Sequence, residues 1–150
     1  MKSLQNIVIQ PFQPKYQSEA KHLILAGLEE HWGTLDLSKN PDLNDISSSY
    51  SNGLFLVALQ DNKLIGTGAI VPKSNNCAEI VRMSVIRSMR RNGIGKMILV
   101  ELCEYAKSHG YKQVILETTE TWHEAIEFYK RFGFRMTHHL DGDVYFALDL

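Results

Sequence analysis

The chain has 150 residues, of which 44% are apolar and 22% are charged, and its formal net charge is −1. These values are typical of one globular domain, residues 1–150, that buries a core on its own. A sequence-independent nucleic-acid-binding protein is excluded, because it would carry a surplus of basic residues. No apolar run approaches the ~20 residues that span a bilayer, and the polar N-terminus is unlike a signal peptide. We therefore predict a cytoplasmic protein without membrane or nucleic-acid partners.

The first half of the chain predicts a strand, two helices and then three strands. Ser18 and Asn40 are the expected caps of the two helices, the second of which starts at Pro41. Asp61-Asn62 is the expected turn between the second and third strands. The predicted bounds are 6–10, 53–60, 63–71 and 78–86 for the strands, and about 18–31 and 41–50 for the helices.

The second half predicts a helix from Ile94 to about Gly110, a strand over 114–118, a further helix and two last strands. Thr121 and Glu124 fit a capping box at the start of the further helix, which ends at Gly133. Asp141-Gly142 is a strong hairpin signal between strands 134–140 and 144–150. The order of elements predicts one mixed α/β (α+β) domain.

The segment 87–96 stands out because it holds four basic residues and no acidic one around two glycines; the basic residues are Arg87, Arg90, Arg91 and Lys96. A strand, a glycine loop and a helix start together form an anion site, because the first helical N–H groups are unpaired. A Walker loop is excluded because Met97 stands where Ser or Thr is required. A dinucleotide fingerprint is excluded because Ile98 replaces its third glycine.

The loop Arg90-Arg91-Asn92-Gly93-Ile94-Gly95 resembles the R/Q-x-x-G-x-G/A loop of the GNAT superfamily of acetyl-CoA-dependent N-acetyltransferases. The segment 125–134 resembles the family's A-x-x-x-Y-x-x-x-G-F segment, and the resemblance is specific over residues 78–134. It implies a mixed sheet of six to seven strands, flanked by about four helices, whose splayed central strands bind coenzyme A (CoA). The implied activity is acetyl transfer from acetyl-CoA, as co-substrate, to a primary amine by direct attack in a ternary complex.

The resemblance also implies how CoA is held. Its pyrophosphate rests on the backbone amides of residues 91–96, and its pantetheine arm pairs with the backbone of Met83 and Val85. A backbone N–H near Val85 is the implied donor to the oxyanion. The candidate CoA-binding residues are Met83, Ser84, Val85, Arg90, Arg91, Asn92, Gly93, Ile94, Gly95, Lys96 and Trp122.

Two residues are candidates for the chemistry. Tyr129 matches the family's tyrosine, whose phenol protonates the departing thiolate; the alternative is a core aromatic on the face of Ile126. Glu79 lies in a segment similar to that of the family's glutamate bases. The alternatives are an ordered water as the base, or a structural Glu79 paired with Arg82.

The acceptor is the least determined part of the prediction. Trp122 replaces an asparagine that contacts the cofactor in many relatives, and its ring could instead wall the acyl or acceptor pocket. His31 and Trp32 lie where relatives bind acceptors, although a core tryptophan is an equal alternative. We expect a small-molecule or peptide amine. The last strand, if exposed, could pair across a homodimer.

No cluster of His, Cys and Asp has the spacing of a metal site, so no metal is predicted. A competing reading makes the chain a non-catalytic acyl-CoA sensor or regulatory module.

Overall fold

The computed structural model of the chain describes residues 6–150. Residues 1–5 of the expected domain lie outside the described residues. The strands are β1 (Ile7–Pro11), β2 (Leu54–Gln60), β3 (Lys63–Pro72), β4 (Cys77–Val85), β5 (Gln113–Thr119), β6 (Arg135–Leu140) and β7 (Asp143–Asp149). The helices are α1 (Gln17–Trp32), α2 (Ile46–Ser49), α3 (Ile94–Ser108) and α4 (His123–Phe132).

All seven strands form one sheet in the order β1-β2-β3-β4-β5-β7-β6. Every neighbouring pair is antiparallel except β4 and β5, which are parallel. The mixed sheet with four helices confirms the predicted fold class. Both predicted hairpin turns are present: Asp61 and Asn62 have φ of 50° and 68°, and Asp141 and Gly142 have φ of 50° and 85°. Positive φ at both central residues is what such tight turns require.

The predicted helix starts need three corrections. A 3-10 turn at Pro14–Tyr16 precedes α1, so Tyr16 and not Ser18 occupies the cap position. Asn40 leads into a second 3-10 turn, Pro41–Asn44, without a hydrogen bond from its side chain. The predicted ten-residue helix is thus a 3-10 turn followed by the single turn α2. The start of α2 is instead capped by Asp45, whose side chain accepts from Ser48 N at 3.2 Å.

The helices cover the two faces of the sheet. α3 and α4 pack on one face, over a core that contains Ile98, Leu102 and Phe146. α1 and α2 pack on the other face, over Val57 and Leu64. Within residues 6–150, no helix is long and apolar enough to cross a membrane.

The last strand does not match its predicted exposed position. β7 lies between β5 and β6, so the edge of the sheet is formed by β6, whose residues are all exposed. Because β7, the second strand of the hairpin, pairs with β5, the first strand β6 lies at the edge of the sheet. The prediction that the last strand is free to pair with a second copy is therefore wrong.

β4 contains a bulge at Arg82, which adopts a left-handed φ of 56°. Thr67, which is completely buried, donates from Oγ1 to Arg82 O at 2.8 Å. The Arg82 guanidinium binds Asp42 through two hydrogen bonds of 2.6 and 3.0 Å. Tyr50 donates to the same carboxylate at 2.5 Å. This network ties the segment before α2 to the bulged strand.

We predict that Asp42→Asn destabilises the protein. Burial works to raise the pKa of Asp42, but hydrogen bonds from Arg82 and Tyr50 outweigh it and lower the pKa. A lowered pKa means that the stabilisation exists above the unfolded value of about 3.9 and disappears as pH falls through the folded value. Urea unfolding at pH 7 should show a loss of roughly 1–2 kcal/mol in the free energy of unfolding.

The difference in the free energy of unfolding between this variant and the wild type should narrow as pH falls below the unfolded pKa of about 3.9. Asp61→Asn is the control, since Asn is equally favourable in that exposed turn. An equal effect of the two substitutions would contradict the role of the network.

Candidate active site

A cleft of about 180 Å³ opens where β4 and β5 separate. The two strands pair only at Cys77–Gln113, Ala78–Val114 and Glu79–Ile115. Beyond these pairs the strands diverge, as the resemblance implied. The cleft is lined by α1, β4, β5 and α4, through Ile24, Gly27, Leu28, Ile80, Val81, Arg82, Met83, Ser84, Glu117, Thr118, Trp122, Ala125 and Tyr129.

The loop before α3 presents a row of unpaired amides. Within residues 6–150, no backbone N–H of residues 91–96 donates to a protein acceptor, and the first that does is Met97 N, to Gly93 O at 3.0 Å. Arg91 and Gly93 turn the chain with φ of 65° and 85°. Six unpaired N–H groups at the positive end of a helix form an anion site. These are the amides that the resemblance assigned to pyrophosphate.

The basic side chains of the loop differ in their availability. Arg90 is engaged, because it donates to both oxygens of Glu30 at 2.8 and 2.9 Å and to Val85 O at 2.9 Å. The positive charge of Arg90 is therefore largely neutralised. Arg91 is 84% exposed and has only an exposed ion pair with Glu124 at 3.3 Å. Lys96 is exposed. Arg91 and Lys96 are the cations that remain for a phosphate.

Three other loop residues have structural partners. A Cβ on Gly95 would lie 3.3 Å from Cζ of Phe128, so this glycine lets α3 approach α4 closely. Asn92 donates from its side chain to Met89 O at 3.2 Å, which closes the loop on itself. Ile94 is buried in the core. Packing thus explains Gly95 as well as a close approach to phosphate does.

The end of β4 exposes backbone groups to the gap. Ile86 N donates to Ile65 O of β3 at 2.9 Å. Because successive residues of a strand point their N–H groups to opposite sides, the N–H groups of Met83 and Val85 point away from β3. β5 does not pair with either residue. An extended ligand chain could take the place of β5 along this edge, while the Ser84 side chain lines the cleft.

Tyr129 lines the cleft from α4. The residue is 8% exposed and is held by ring contacts with Phe134 and Phe146. Among the described residues, nothing forms a hydrogen bond with its hydroxyl, and burial raises the pKa of the phenol. A protonated, unpaired phenol that borders a cleft is able to donate to a ligand.

Glu79 is not brought into the cleft. It lies on β4 opposite Val71, within the short stretch that still pairs with β5, and does not line the cavity. Its suggested partner Arg82 binds Asp42 instead, so that part of the prediction is wrong. Glu79 could reach a ligand in the cleft only through water.

The acceptor candidates are partly brought together. The His31 ring stacks on Trp122 at a centroid distance of 4.3 Å and an angle of 8°, and Trp122 lines the cleft. His31 Nε2 also lies 3.3 Å from Thr121 Oγ1, so Thr121 bonds across to α1 rather than capping α4, and the predicted capping box is wrong. Trp32 is 54% exposed and lies outside the cleft, which excludes a core role.

The sequence prediction missed Glu117 and Thr118, which line the cleft from β5. A polar pair after the buried run 114–116 was the available signal, because ligands bind beyond the carboxyl ends of parallel strands. Within residues 6–150, no three His, Cys, Asp or Glu side chains come together as metal ligands.

The unpaired Tyr129 hydroxyl generates a prediction on stability. We expect Tyr129→Phe to change the free energy of unfolding by less than about 1 kcal/mol, because no protein hydrogen bond is lost. Tyr50→Phe is the matched control and should lose about 1–2 kcal/mol, since it removes the bond to Asp42. Urea unfolding at pH 7 compares them, and a larger loss at position 129 would assign that hydroxyl a structural role.

Comparison with known proteins gives consistent results. The model of the acetyltransferase (GNAT) family matches residues 3–134. An acetyltransferase of this family from Staphylococcus aureus Mu50 superposes with a TM-score of 0.88 at 24% identity, over 95% of this chain and 98% of the other. PaiA N-acetyltransferase from Thermoplasma acidophilum, solved in complex with coenzyme A, superposes with a TM-score of 0.85 at 21% identity, over 96% and 99% of the two chains.

Among curated proteins, N-acetyltransferase 8F1 of Rattus norvegicus is 32% identical over 103 residues, which are 64% of this chain and 47% of that protein. The chain spans about half the length of the curated relatives it matches. The solved structures, each under 25% identical, share the fold, and the family model covers most of the chain. The chain belongs to the GNAT family of acetyltransferases.

Proposed function

We propose that residues 1–150 form an N-acetyltransferase domain that transfers the acetyl group of acetyl-CoA to a primary amine by direct attack in a ternary complex. The observation that carries the proposal is the row of six unpaired amides at residues 91–96, next to a gap between two strands that leads to an unpaired phenol. An anion site, an open strand edge and a proton donor match in order the pyrophosphate, pantetheine and thioester of acetyl-CoA.

Binding would proceed along this line. The amides of residues 91–96 and the side chains of Arg91 and Lys96 hold the pyrophosphate. The N–H groups of Met83 and Val85 hold the pantetheine arm, and the one near the thioester stabilises the oxyanion of the tetrahedral intermediate. Trp122, fixed by its stack on His31, forms the wall of the pocket.

The residues of the chain then have distinct tasks. The buried phenol of Tyr129 stays protonated at neutral pH because desolvation disfavours its charged form, so its proton is available to the departing thiolate. Since Glu79 does not line the cleft, an ordered water is favoured as the group that carries the amine proton away. The acceptor is a small-molecule or peptide amine. The cytoplasmic location and the homodimer expected from the sequence stay predictions.

Calorimetry with CoA and thiol release from acetyl-CoA over a panel of amines and peptides test the proposal. We expect binding and turnover, and Arg91→Ala and Lys96→Ala should each weaken CoA binding about tenfold, since a charge-assisted contact to phosphate is lost. Lys63→Ala, in the β2–β3 turn region, is the control for loss of one positive charge. Failure to bind CoA would sink the proposal, and binding without turnover on any acceptor would favour the sensor reading.

Tyr129→Phe separates the chemical role of the phenol from its packing. We expect kcat to fall by about 10²–10⁴-fold, the usual contribution of a positioned acid, with CoA affinity unchanged. Initial rates from pH 6 to pH 10 provide the measurement. Full turnover by the variant at every pH would contradict the assignment of Tyr129 as the acid.

A further inference from the structure

The half of the sheet beyond the gap leaves one face without a helix to cover it. Val114 and Leu116 of β5 are buried in the core under α3 and α4. Because strand residues alternate between faces, Glu117 points to the opposite face, on which α1 packs over β3 and β4. Glu117 also lines the cleft. This carboxylate therefore stands at the cleft wall that faces away from the loop at residues 91–96.

Glu117 is held by an aromatic neighbour. Tyr145 of β7 lies directly opposite it in the ladder. The interaction of the phenol with the Glu117 carboxylate, together with burial and nearby negative charges, raises the pKa of Tyr145 to about 12. The His138 ring of β6 stacks on the other side of Tyr145, at 4.3 Å and 9°. The phenol therefore stays neutral and supports the carboxylate from one side.

The charged side chains next to Glu117 in the ladder and at the β6–β7 turn share one sign. We define the acidic rim as Glu117, Glu120, Asp141 and Asp143. Asp143 is the diagonal neighbour of Glu117 in the ladder, and Glu120 N bonds to Gly142 O at 2.9 Å, which brings Glu120 to the same hairpin turn. Burial and the negative charges of Glu117, Asp141 and Glu120 raise the pKa of Asp143. Asp143 is thus close enough to the other three carboxylates to be affected by their charge.

A second observation indicates that a ligand belongs here. Tyr129, more than nine-tenths buried, borders the same cleft with a hydroxyl that has no partner among the described residues. Since no fully enclosed side-chain oxygen or nitrogen of the described residues lacks a hydrogen-bond partner, the Tyr129 hydroxyl opens to the cleft and is available to a ligand there. The cleft is therefore lined by an unpaired donor, Tyr129, and by one carboxylate, Glu117.

We propose that Glu117 binds the ammonium group of the acceptor as it enters the cleft, and that the acidic rim selects amines that carry a second positive charge. This inference rests on the proposed function. Glu117 is a specificity-determining residue, and Tyr145 is a positioning residue that acts through it. The acceptor class is a flexible dication with one primary amine free to react. Binding of such a cation relieves the repulsion between the carboxylates of the acidic rim.

Three acceptors with the same four-carbon chain test the selection: 1,4-diaminobutane, 4-aminobutan-1-ol and 4-aminobutanoate, whose far ends are positive, neutral and negative at neutral pH. With wild-type protein and saturating acetyl-CoA, kcat/KM for the diamine should exceed that for the alcohol about tenfold, and the acid should be poorest. Equal values for the diamine and the acid would overturn the inference.

Glu117→Gln tests the residue itself. We expect KM for 1,4-diaminobutane to rise about tenfold or more with a smaller change in kcat, because a charge-assisted contact is lost. Tyr145→Phe should raise the same KM by a smaller factor. Glu127→Gln, an exposed residue of α4 outside the cleft, is the matched control and should leave KM unchanged. A KM unaffected by Glu117→Gln, or raised equally by Glu127→Gln, would overturn the inference.

Two further measurements separate the ways in which this experiment can fail. The free energy of unfolding of Glu117→Gln, measured in urea, should equal that of the wild type. If Glu117→Gln proves unstable, Tyr145→Phe is the second variant that tests the role of Glu117. Calorimetry with CoA reports on the proposed function independently of the acceptor. A wild-type protein that binds CoA, acetylates other amines and turns over none of the three probes overturns this inference alone, whereas absence of CoA binding overturns the proposed function as well.

Discussion

The separation of β4 from β5 after three residue pairs is the constraint on which the rest of the site depends. Two parallel strands that continued their ladder would satisfy each other's backbone groups and leave no room for a ligand. The bulge at Arg82, with φ of 56°, follows three residues after the last of these pairs. A positive φ is unfavourable for arginine, so it needs support, which Thr67 gives to the backbone and Asp42 gives to the side chain.

The cleft between the separated strands has two different sides, one next to α3 and the other next to α1. On the α3 side, packing of Gly95 against Phe128 brings the start of α3 next to α4, so the unpaired amides and Tyr129 belong to two helices in close contact. On the α1 side, Arg90 joins Glu30 of α1 to the Val85 carbonyl. This ion pair fixes the approach of α1 to the end of β4, which explains why the first basic residue of the loop serves the scaffold.

The sequence predicted the elements that depend on local chemistry. The loop at residues 90–96 and the turns at Asp61-Asn62 and Asp141-Gly142 need particular residue types at fixed positions, and each lies where it was expected. Thr121 and Trp32 were misassigned, because their surroundings come from distant segments: His31 of α1 takes the hydroxyl that would have capped α4. Glu117 was missed although the polar pair after the buried run 114–116 offered a signal, and its position beside Tyr145 depends on pairing with a distant strand.

The net charge of −1 conceals an uneven distribution. The basic residues of the loop lie at the start of α3, while Glu117 lines the cleft from β5 and its neighbouring acids lie in the adjoining hairpin. An anionic nucleotide is attracted to the first group and repelled by the second, and a cationic amine experiences the reverse. Under the proposed function, these opposite charges direct the nucleotide to the loop and the amine to Glu117. Without this uneven charge distribution, only the shape of the cleft would separate the two substrates. The small net charge of the chain is therefore compatible with strong electrostatic control inside the site.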